Sequence, residues 1–490
     1  MDKNVDVIVI GAGIGGLGCA ALLAHAGAKV LVLERGGSIG GRCVSYRKNG
    51  CIIDAFIHMF ASCEKGPFGR ILDLTGMPKA VEFWHADPAN KPILLFGGRS
   101  YVYPDLSVAS EEDMQNTLKG FEMPEEDYQA ALKLNHDIYH MPLEKTHQLD
   151  AVAYEEWLKT YSSHPALLSL HNHRSMLMGV VAAFEASAGE VIRMTQNWHL
   201  KRNLGYPMGG CQAIPDGFAA VIRNYGGHVK TGSPVASIRV ENGRANGVTL
   251  KTGEEIHAKA VVSNAGLKET VQTMLPHKSL SPSYVAYVEN LSCGVFGTDL
   301  FMDNFLNIKV LLKQPVVEPP VVFGIPTGMQ ASATAGDIST AFGYKDDQEM
   351  LNRFSIFMPI PSNMDPSLAP PGRQLLNFPG VMPDPNGDIK AHVNQRIEEL
   401  DVIFPGIAEN VLWWDVIKGS GIKGYSGRFQ SDIIGLAQVV GQVGADRPSI
   451  TSPIEGLFHV GADVGKDNIG TELAAESALR AAPIIMDYLE

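Results

Sequence analysis

The segment VDVIVIGAGIGGLGCAALLAHAGAKVLVLER restricts the fold more than any other part of the chain. Val7 to Ile10 is a continuous run of β-branched residues, suited to a strand buried on both faces. Gly11, Gly13 and Gly16 follow in G-x-G-x-x-G spacing, where the strand must turn into a helix running to about Gly27. The first glycine permits the turn, the second lets a pyrophosphate approach the backbone, and the third lets helix and strand pack closely. The start of the helix adds free N–H groups and a dipole that favours an anion. A second strand, Lys29 to Leu33, ends in Glu34, where a carboxylate can bond the ribose hydroxyls of an adenosine. Glu34 would repel a 2′-phosphate, which favours a flavin or NAD over NADP, and Arg35 beside it is a further candidate contact.

Immediately afterwards Gly36, Gly37, Gly40 and Gly41 allow a backbone coil close to the cofactor, and Arg42 can place a guanidinium on the pyrophosphate. The run Gly11 to Glu34 followed by Gly40, Gly41 and Arg42 resembles the FAD-binding start of the phytoene desaturase and amine oxidase superfamily. Tyr206 to Gly266 is similar to the phytoene desaturase branch throughout. Physically it is a helix leading into a strand, hairpins turned at Glu241-Asn242-Gly243 and Lys251-Thr252-Gly253, and a buried strand ending at Asn264. By itself Val235 is an ordinary strand valine; the resemblance implies that it meets the adenine end of the cofactor. The stretches DPSLAPPGRQLL, from Asp365, and IEGLFHVGAD also resemble this branch. In the latter, Phe458 to Gly461 is expected to be a final strand, with Asp463 just beyond it at the ribityl or pyrophosphate oxygens. The turn Asn468-Ile469-Gly470 is implied to lie beside the pyrimidine end of the flavin. The implied fold is α/β: a Rossmann-type FAD-binding domain with an inserted mixed-sheet and helical substrate domain.

The cofactor segments set the expected domain plan. Residues 1–105, 205–285 and 415–490 form a discontinuous FAD-binding domain, and 106–204 and 286–414 fold together as a substrate or lid domain. The first insertion reads as helical: Glu111-Glu112-Asp113 opens a helix after Ser110, and spaced apolar residues follow. The second contains strand-like runs, VVFGIP and FSIFMPIP, among proline-rich turns. With 490 residues, 45% of them apolar, the chain can bury more than one core. A net charge of −13 argues against nucleic acid as a partner but is compatible with peripheral membrane contact. Six cysteines without a C-x-x-C pair point to a reducing compartment and to no metal. Neither a signal peptide nor a run of ~18 apolar residues is evident, so a cytoplasmic protein is expected. The oligomeric state is left open.

A flavin exchanges hydride with carbon, and the protein aims the substrate, excludes water and relays protons. Met176, Met178, Phe184 and Met194 are candidates for lining an apolar tunnel, although such residues are also ordinary core. Members of the resembled family act on carbon–carbon bonds of polyenes and related lipids, which implies an apolar isoprenoid-like substrate. Asp54 and His58 resemble the D-x-G-x-H stretch of retinol saturase and carotenoid isomerase relatives, with Phe56 where those have glycine. His58 is therefore one catalytic candidate. Glu472 is the other, in a TELAAES ending closer to the corresponding amine oxidase helix. Asp467 reads better as a helix cap, and His171 and His173 point to different faces of a helix, which disfavours a metal. The leading expectation is an FAD-dependent enzyme that desaturates, saturates or isomerises a carbon–carbon bond. The alternatives are a flavin amine oxidase and a non-catalytic flavin- or lipid-binding protein.

Overall fold

The computed structural model describes residues 4–104, 109–201, 203–276, 278–325, 356–428, 433–468 and 470–490. Val7, Ile8 and Val9 are fully buried because the Asn4–Ile10 strand lies inside a sheet. It pairs in parallel with Val30–Leu33 on one side and Glu255–Ser263 on the other. The sheet continues through His228–Lys230 at one edge and the antiparallel strands Arg244–Leu250 and Val235–Glu241 at the other. Leu457–His459 joins the far end of Glu255–Ser263 in parallel. The hairpin expected at Asn242-Gly243 forms with both residues at positive φ, 52° and 80°, the geometry that suits the twist of its strands. The helices Ile14–His25 and Gly470–Leu489 pack against each other, so closely that a side chain at Gly18 would meet the Ala478 methyl at 3.3 Å.

The segment read as helical does carry a series of helices, from Glu111–Gly120 to Ala188–Lys201. Ser110 caps Glu111–Gly120 in a reciprocal capping box with Asp113. Later helices bury Leu134, Ile138, Leu158, Leu167 and Ile192 in a core shared with Leu94, Phe96, Val321 and Phe323 of the neighbouring strands. Beside the two-stranded pairs Ser45–Lys48 with Cys51–Asp54 and Phe83–His85 with Gly205–Pro207, the described residues form two larger sheets. Gln374–Val381, Phe305–Leu312 and Val411–Lys418 form an antiparallel three-stranded sheet. Ile356–Pro359, Val321–Gly324, Ile93–Phe96 and Arg99–Val102 form the other. Residues 326–355 of the expected second insertion lie outside the described residues. Two strands cross the expected boundaries. Ile93–Phe96, placed with residues 1–105, buries its apolar side chains by pairing with Val321–Gly324, and Val411–Lys418 runs through residue 415 as one strand. Strand partners more than 200 residues away carry no local signal, which is why composition did not reveal them.

Candidate active site

A cavity of about 1260 Å³ opens where the central sheet, both glycine-rich turns and the three-stranded sheet meet. Pockets for single small molecules run to ~300–1,000 Å³, so this one has room for more than one. Gly11, Gly13 and Gly15 line it, whereas Gly16 does not. A Cβ at Gly16 would drive into the Gly11 carbonyl, so the third glycine serves helix packing. Gly13 precedes the Ile14–His25 helix, no side chain caps that end, and no acid lies in its first turn. Asn264 joins the two glycine-rich turns: its Nδ2 donates to the Gly11 carbonyl at 3.4 Å, and its Oδ1 would lie 2.9 Å from a Cβ on Gly461.

The other expected contacts are also brought to this cavity. Glu34, Arg35, Gly41, Arg42, Val235, Gly461, Asp463 and Gly470 all line it. The Glu34 carboxylate accepts hydrogen bonds from the Ala12 and Gly36 N–H groups at 2.8 and 2.7 Å, tying the two turns together. Arg35 is used differently from expectation, its guanidinium donating to the carbonyls of Gly424 and Tyr425 at 3.1 and 2.7 Å. Asp463 also departs from expectation. Its carboxylate is committed to Arg428 at 2.8 and 3.0 Å and to the N–H groups of Leu267 and Leu436. Burial works against its charge, yet Arg428 and those N–H groups hold the carboxyl well below the usual range. It positions Arg428 on the cavity wall instead of presenting free oxygens. An uncapped helix start, backbone exposed by glycine, and an acid at the end of the second strand together fit FAD.

Of the catalytic candidates, His58 has its Nε2 3.0 Å from the Arg42 carbonyl oxygen, and its ring stacks on Phe60. Nearby Asp54 accepts from Ser45 Oγ at 2.7 Å, from the Cys211 N–H at 3.0 Å and from the Tyr206 hydroxyl. Burial opposes a charged imidazole, but the Cys211 sulfur, Asp54 and the Arg42 carbonyl outweigh it and raise His58 to about 9. Glu472 is buried in the first turn of the last helix, and its Oε1 accepts from the Ser62 N–H at 2.8 Å. Both residues line the cavity.

Beyond the glycine turns the wall becomes apolar. Met176 and Met178 line it as expected, with Val180, Trp198, Phe301 and Phe305. Met194 is instead fully buried in the helical core, and Phe184 is exposed at the surface. Asp467 is no helix cap: its side chain pairs with Arg193 at 2.7 Å. His171 is a core residue bonded to the Tyr154 hydroxyl at 2.7 Å, although His173 lines the cavity. Cys63, Glu64 and His85 lie within 4.8 Å of one another; burial, Glu472 and Glu64 hold Cys63 as a thiol, and His85 pairs with Glu64.

Sequence reasoning missed Asn307, Lys309, Asn377 and Arg428. Asn307 and Lys309 share one face of the Phe305–Leu312 strand, and Asn377 stands directly opposite Lys309. Asn307 Nδ2 and Lys309 Nζ donate to the Ala55 carbonyl at 2.8 and 2.9 Å, and Asn377 Nδ2 donates to the Phe56 carbonyl at 3.4 Å. The loop leading to His58 is thereby clamped to the sheet. The available signal was two polar residues at i and i+2 in the otherwise apolar FLNIKVLL.

A family profile described as "Flavin containing amine oxidoreductase" matches residues 14–486. An inactive all-trans-retinol 13,14-reductase from Danio rerio is 29% identical over 316 residues, covering 59% of this chain and 52% of that protein. The chain thus spans about half the length of that relative. The chloroplastic prolycopene isomerase of Arabidopsis thaliana is 24% identical over 503 positions, covering 93% of this chain and 78% of its own length. The crystal structure of an oxidoreductase from Methanosarcina mazei shares the fold, with a TM-score of 0.71 at 22% identity, covering 98% of this chain and 100% of that one.

Proposed function

The chain belongs to the flavin containing amine oxidoreductases, with FAD as its cofactor; from that premise we propose that it desaturates, saturates or isomerises a carbon–carbon bond of an isoprenoid or other apolar substrate. The observation that carries this reading is the apolar wall formed by Met176, Met178, Val180, Trp198, Phe301 and Phe305, continuous with the glycine turns in one cavity. The names of relatives carry retinol and prolycopene, which are of the same chemical class, although the Danio rerio protein is itself named inactive. We assign the pyrophosphate to the N–H groups at Gly13–Gly15 and to Arg42, and the adenosine to Glu34 and Val235. Gly41, Gly461 and Gly470 give the backbone its close approach, with Arg35 and Asp463 bracing the surrounding segments.

When bound, FAD supplies hydride exchange with carbon. The chain's own groups do the rest. The apolar wall excludes water and aligns the substrate. The surroundings of His58 favour its protonated form, and it lines the same cavity, suited to general acid–base work worth ~10²–10⁴ in rate. Glu472, fixed by the Ser62 N–H, is the second ionisable group available to the reacting carbon. The substrate is of a kind that partitions into lipid, which supports a cytoplasmic enzyme working at a membrane periphery. No helix among the described residues is long and apolar enough to cross a membrane.

The test is anaerobic mixing of the holoenzyme with polyenes, terpenoids and amines. Bleaching of the flavin absorption by an isoprenoid, or formation of geometric isomers by the reduced enzyme, is the expected result. Hydrogen peroxide released from an amine in air, with no response to isoprenoids, would overturn it in favour of the amine oxidase alternative suggested by Glu472. A spectrum and product profile unchanged by every class would favour a non-catalytic carrier.

A further inference from the structure

We propose that Cys63, Glu64 and His85 bind one zinc ion at a site separate from the cofactor cavity. None of the three lines that cavity. The expectation of no metal followed from the lack of a C-x-x-C pair, whereas this site draws on a single cysteine.

Cys63 and Glu64 open the short turn Cys63–Lys65, and His85 ends the strand Phe83–His85, which pairs with Gly205–Pro207. One donor atom from each of the three lies within 4.8 Å of the others, and no other trio of His, Cys, Asp or Glu among the described residues comes together in this way. Gly205 stands opposite His85, and a Cβ there would come 2.8 Å from the Cys63 sulfur and 3.0 Å from His85 Nδ1. Sulfur and ring nitrogen therefore converge on one patch of backbone that glycine leaves open. His85 Nδ1 is buried and has no hydrogen-bond partner among the described residues, while Nε2 meets the Glu64 carboxylate at 3.0 Å. Nε2 thus carries the proton, and Nδ1 presents its lone pair. Cys63 adopts a left-handed φ of 40°, and Ser62 before it is held by Glu472 and Asn203. Such a conformation in a residue other than glycine persists where the surroundings over-determine it, as they do at ligand sites.

Thiolate, imidazole and carboxylate are the donors zinc takes, at ~2.0–2.3 Å, so tetrahedral ligand atoms stand roughly 3.5 Å apart. The trio reaches that spacing when the Glu64 carboxylate turns from Nε2 onto the ion, with water as the fourth ligand. Cys63 is fully buried, so the ion enters past the Glu64 and His85 side chains, which are 47% and 35% exposed. Without an ion, burial and the Glu472 and Glu64 carboxylates keep Cys63 a thiol. Those carboxylates attract a divalent cation, and ligation releases the thiol proton to solvent. A sulfur ligand disfavours magnesium and calcium, which take oxygen donors. The bound ion cross-links the Cys63–Lys65 turn to the Phe83–His85 strand, beside the Ser62 N–H that fixes Glu472.

The test takes untagged holoenzyme, freed of metal by a chelator and gel filtration, and titrates it with Co²⁺ as a spectroscopic stand-in for zinc. We expect one Co²⁺ per chain, with tetrahedral d–d absorption to the red of the flavin bands, displaced by zinc and unaffected by excess magnesium. Cys63→Ser and, separately, His85→Gln should each weaken binding at least about tenfold with flavin content retained. Glu64→Gln, at an exposed position, should weaken it in the same direction, so the inference remains testable should either of the other variants fail to fold. Failure of the unaltered protein to bind Co²⁺ or zinc one to one, displacement of the ion by magnesium, or binding unchanged by Cys63→Ser or by His85→Gln would overturn the site.

Discussion

Lys309 is a buried base and His58 a half-buried one, and their proton affinities are displaced in opposite directions. Burial lowers Lys309 to about 7, with Asp415 and Asp54 only partly opposing it. Between that value and the ordinary lysine range the unfolded chain binds a proton that the folded chain does not. Lys309 therefore adds a stability that rises with pH across this window, by up to ~1.4 kcal/mol per unit. His58, raised to about 9, does the reverse: its contribution is complete below the ordinary histidine range and is lost as pH rises towards 9. Urea midpoints measured from pH 6 to 10 should show Lys309→Met removing a positive slope and His58→Gln removing a negative one. Slopes unchanged in both variants would contradict these environments. Neither environment was legible in the sequence. The spacing of Asn307 and Lys309 marks a polar stripe, but the carbonyl that receives both belongs to Ala55, some 250 residues earlier. His58 could be read as a candidate because its motif, Asp54 included, is local; the Cys211 group that also acts on its protonation comes from a turn some 150 residues later.

Among the elements, the helix Ala188–Lys201 has a part beyond packing. Arg193 on that helix is 2% exposed and forms ion pairs with Asp150 at 2.7 Å, Glu190 at 2.6 Å and Asp467 at 2.7 Å. Glu190 in turn accepts the Asp467 N–H at 3.0 Å, and Asn197 donates to the Asp467 carbonyl. Asp467 adopts a left-handed φ of 53°, so the turn preceding Gly470 is held in its shape by the helical insertion. Arg193→Met would leave Glu190 and Asp467 without their cation, at a cost of about 3–5 kcal/mol. We expect a matching fall in unfolding free energy, together with a lower flavin-to-protein ratio after gel filtration. A stable variant with full flavin content would show that the latch does not shape the cofactor turn. The helix itself was readable from spaced apolar residues, as were the first parallel strands and the Asn242-Gly243 hairpin, since each depends on neighbours in sequence. The latch was not, because Arg193 and Asp467 acquire their roles only when the two ends of an insertion and the last turn converge.

At the scale of the whole molecule, the cavity is assembled from residues of both terminal regions and of every large segment between them. Ligand binding to such a site stabilises all those segments together, by ~4 kcal/mol at a thousandfold excess over Kd. Removing FAD should therefore lower the melting temperature, and adding it back should restore the melting temperature progressively with FAD concentration. Hydrogen exchange should rise jointly in the Ile14–His25 and Gly470–Leu489 helices of the apoprotein. Protection unchanged in both helices would argue that the cradle is complete without its ligand. The pairing of these helices also orders events in time. A ribosome delivers the Asn4–Ile10 strand hundreds of residues before Leu457–His459 and the helix that covers Gly18, so the first-made part of the sheet waits, apolar and incomplete, for the last. Closure of the cofactor cradle consequently waits for Leu457–His459 and the helix Gly470–Leu489, and a nascent chain stalled before residue 457 would leave the face around Gly18 uncovered.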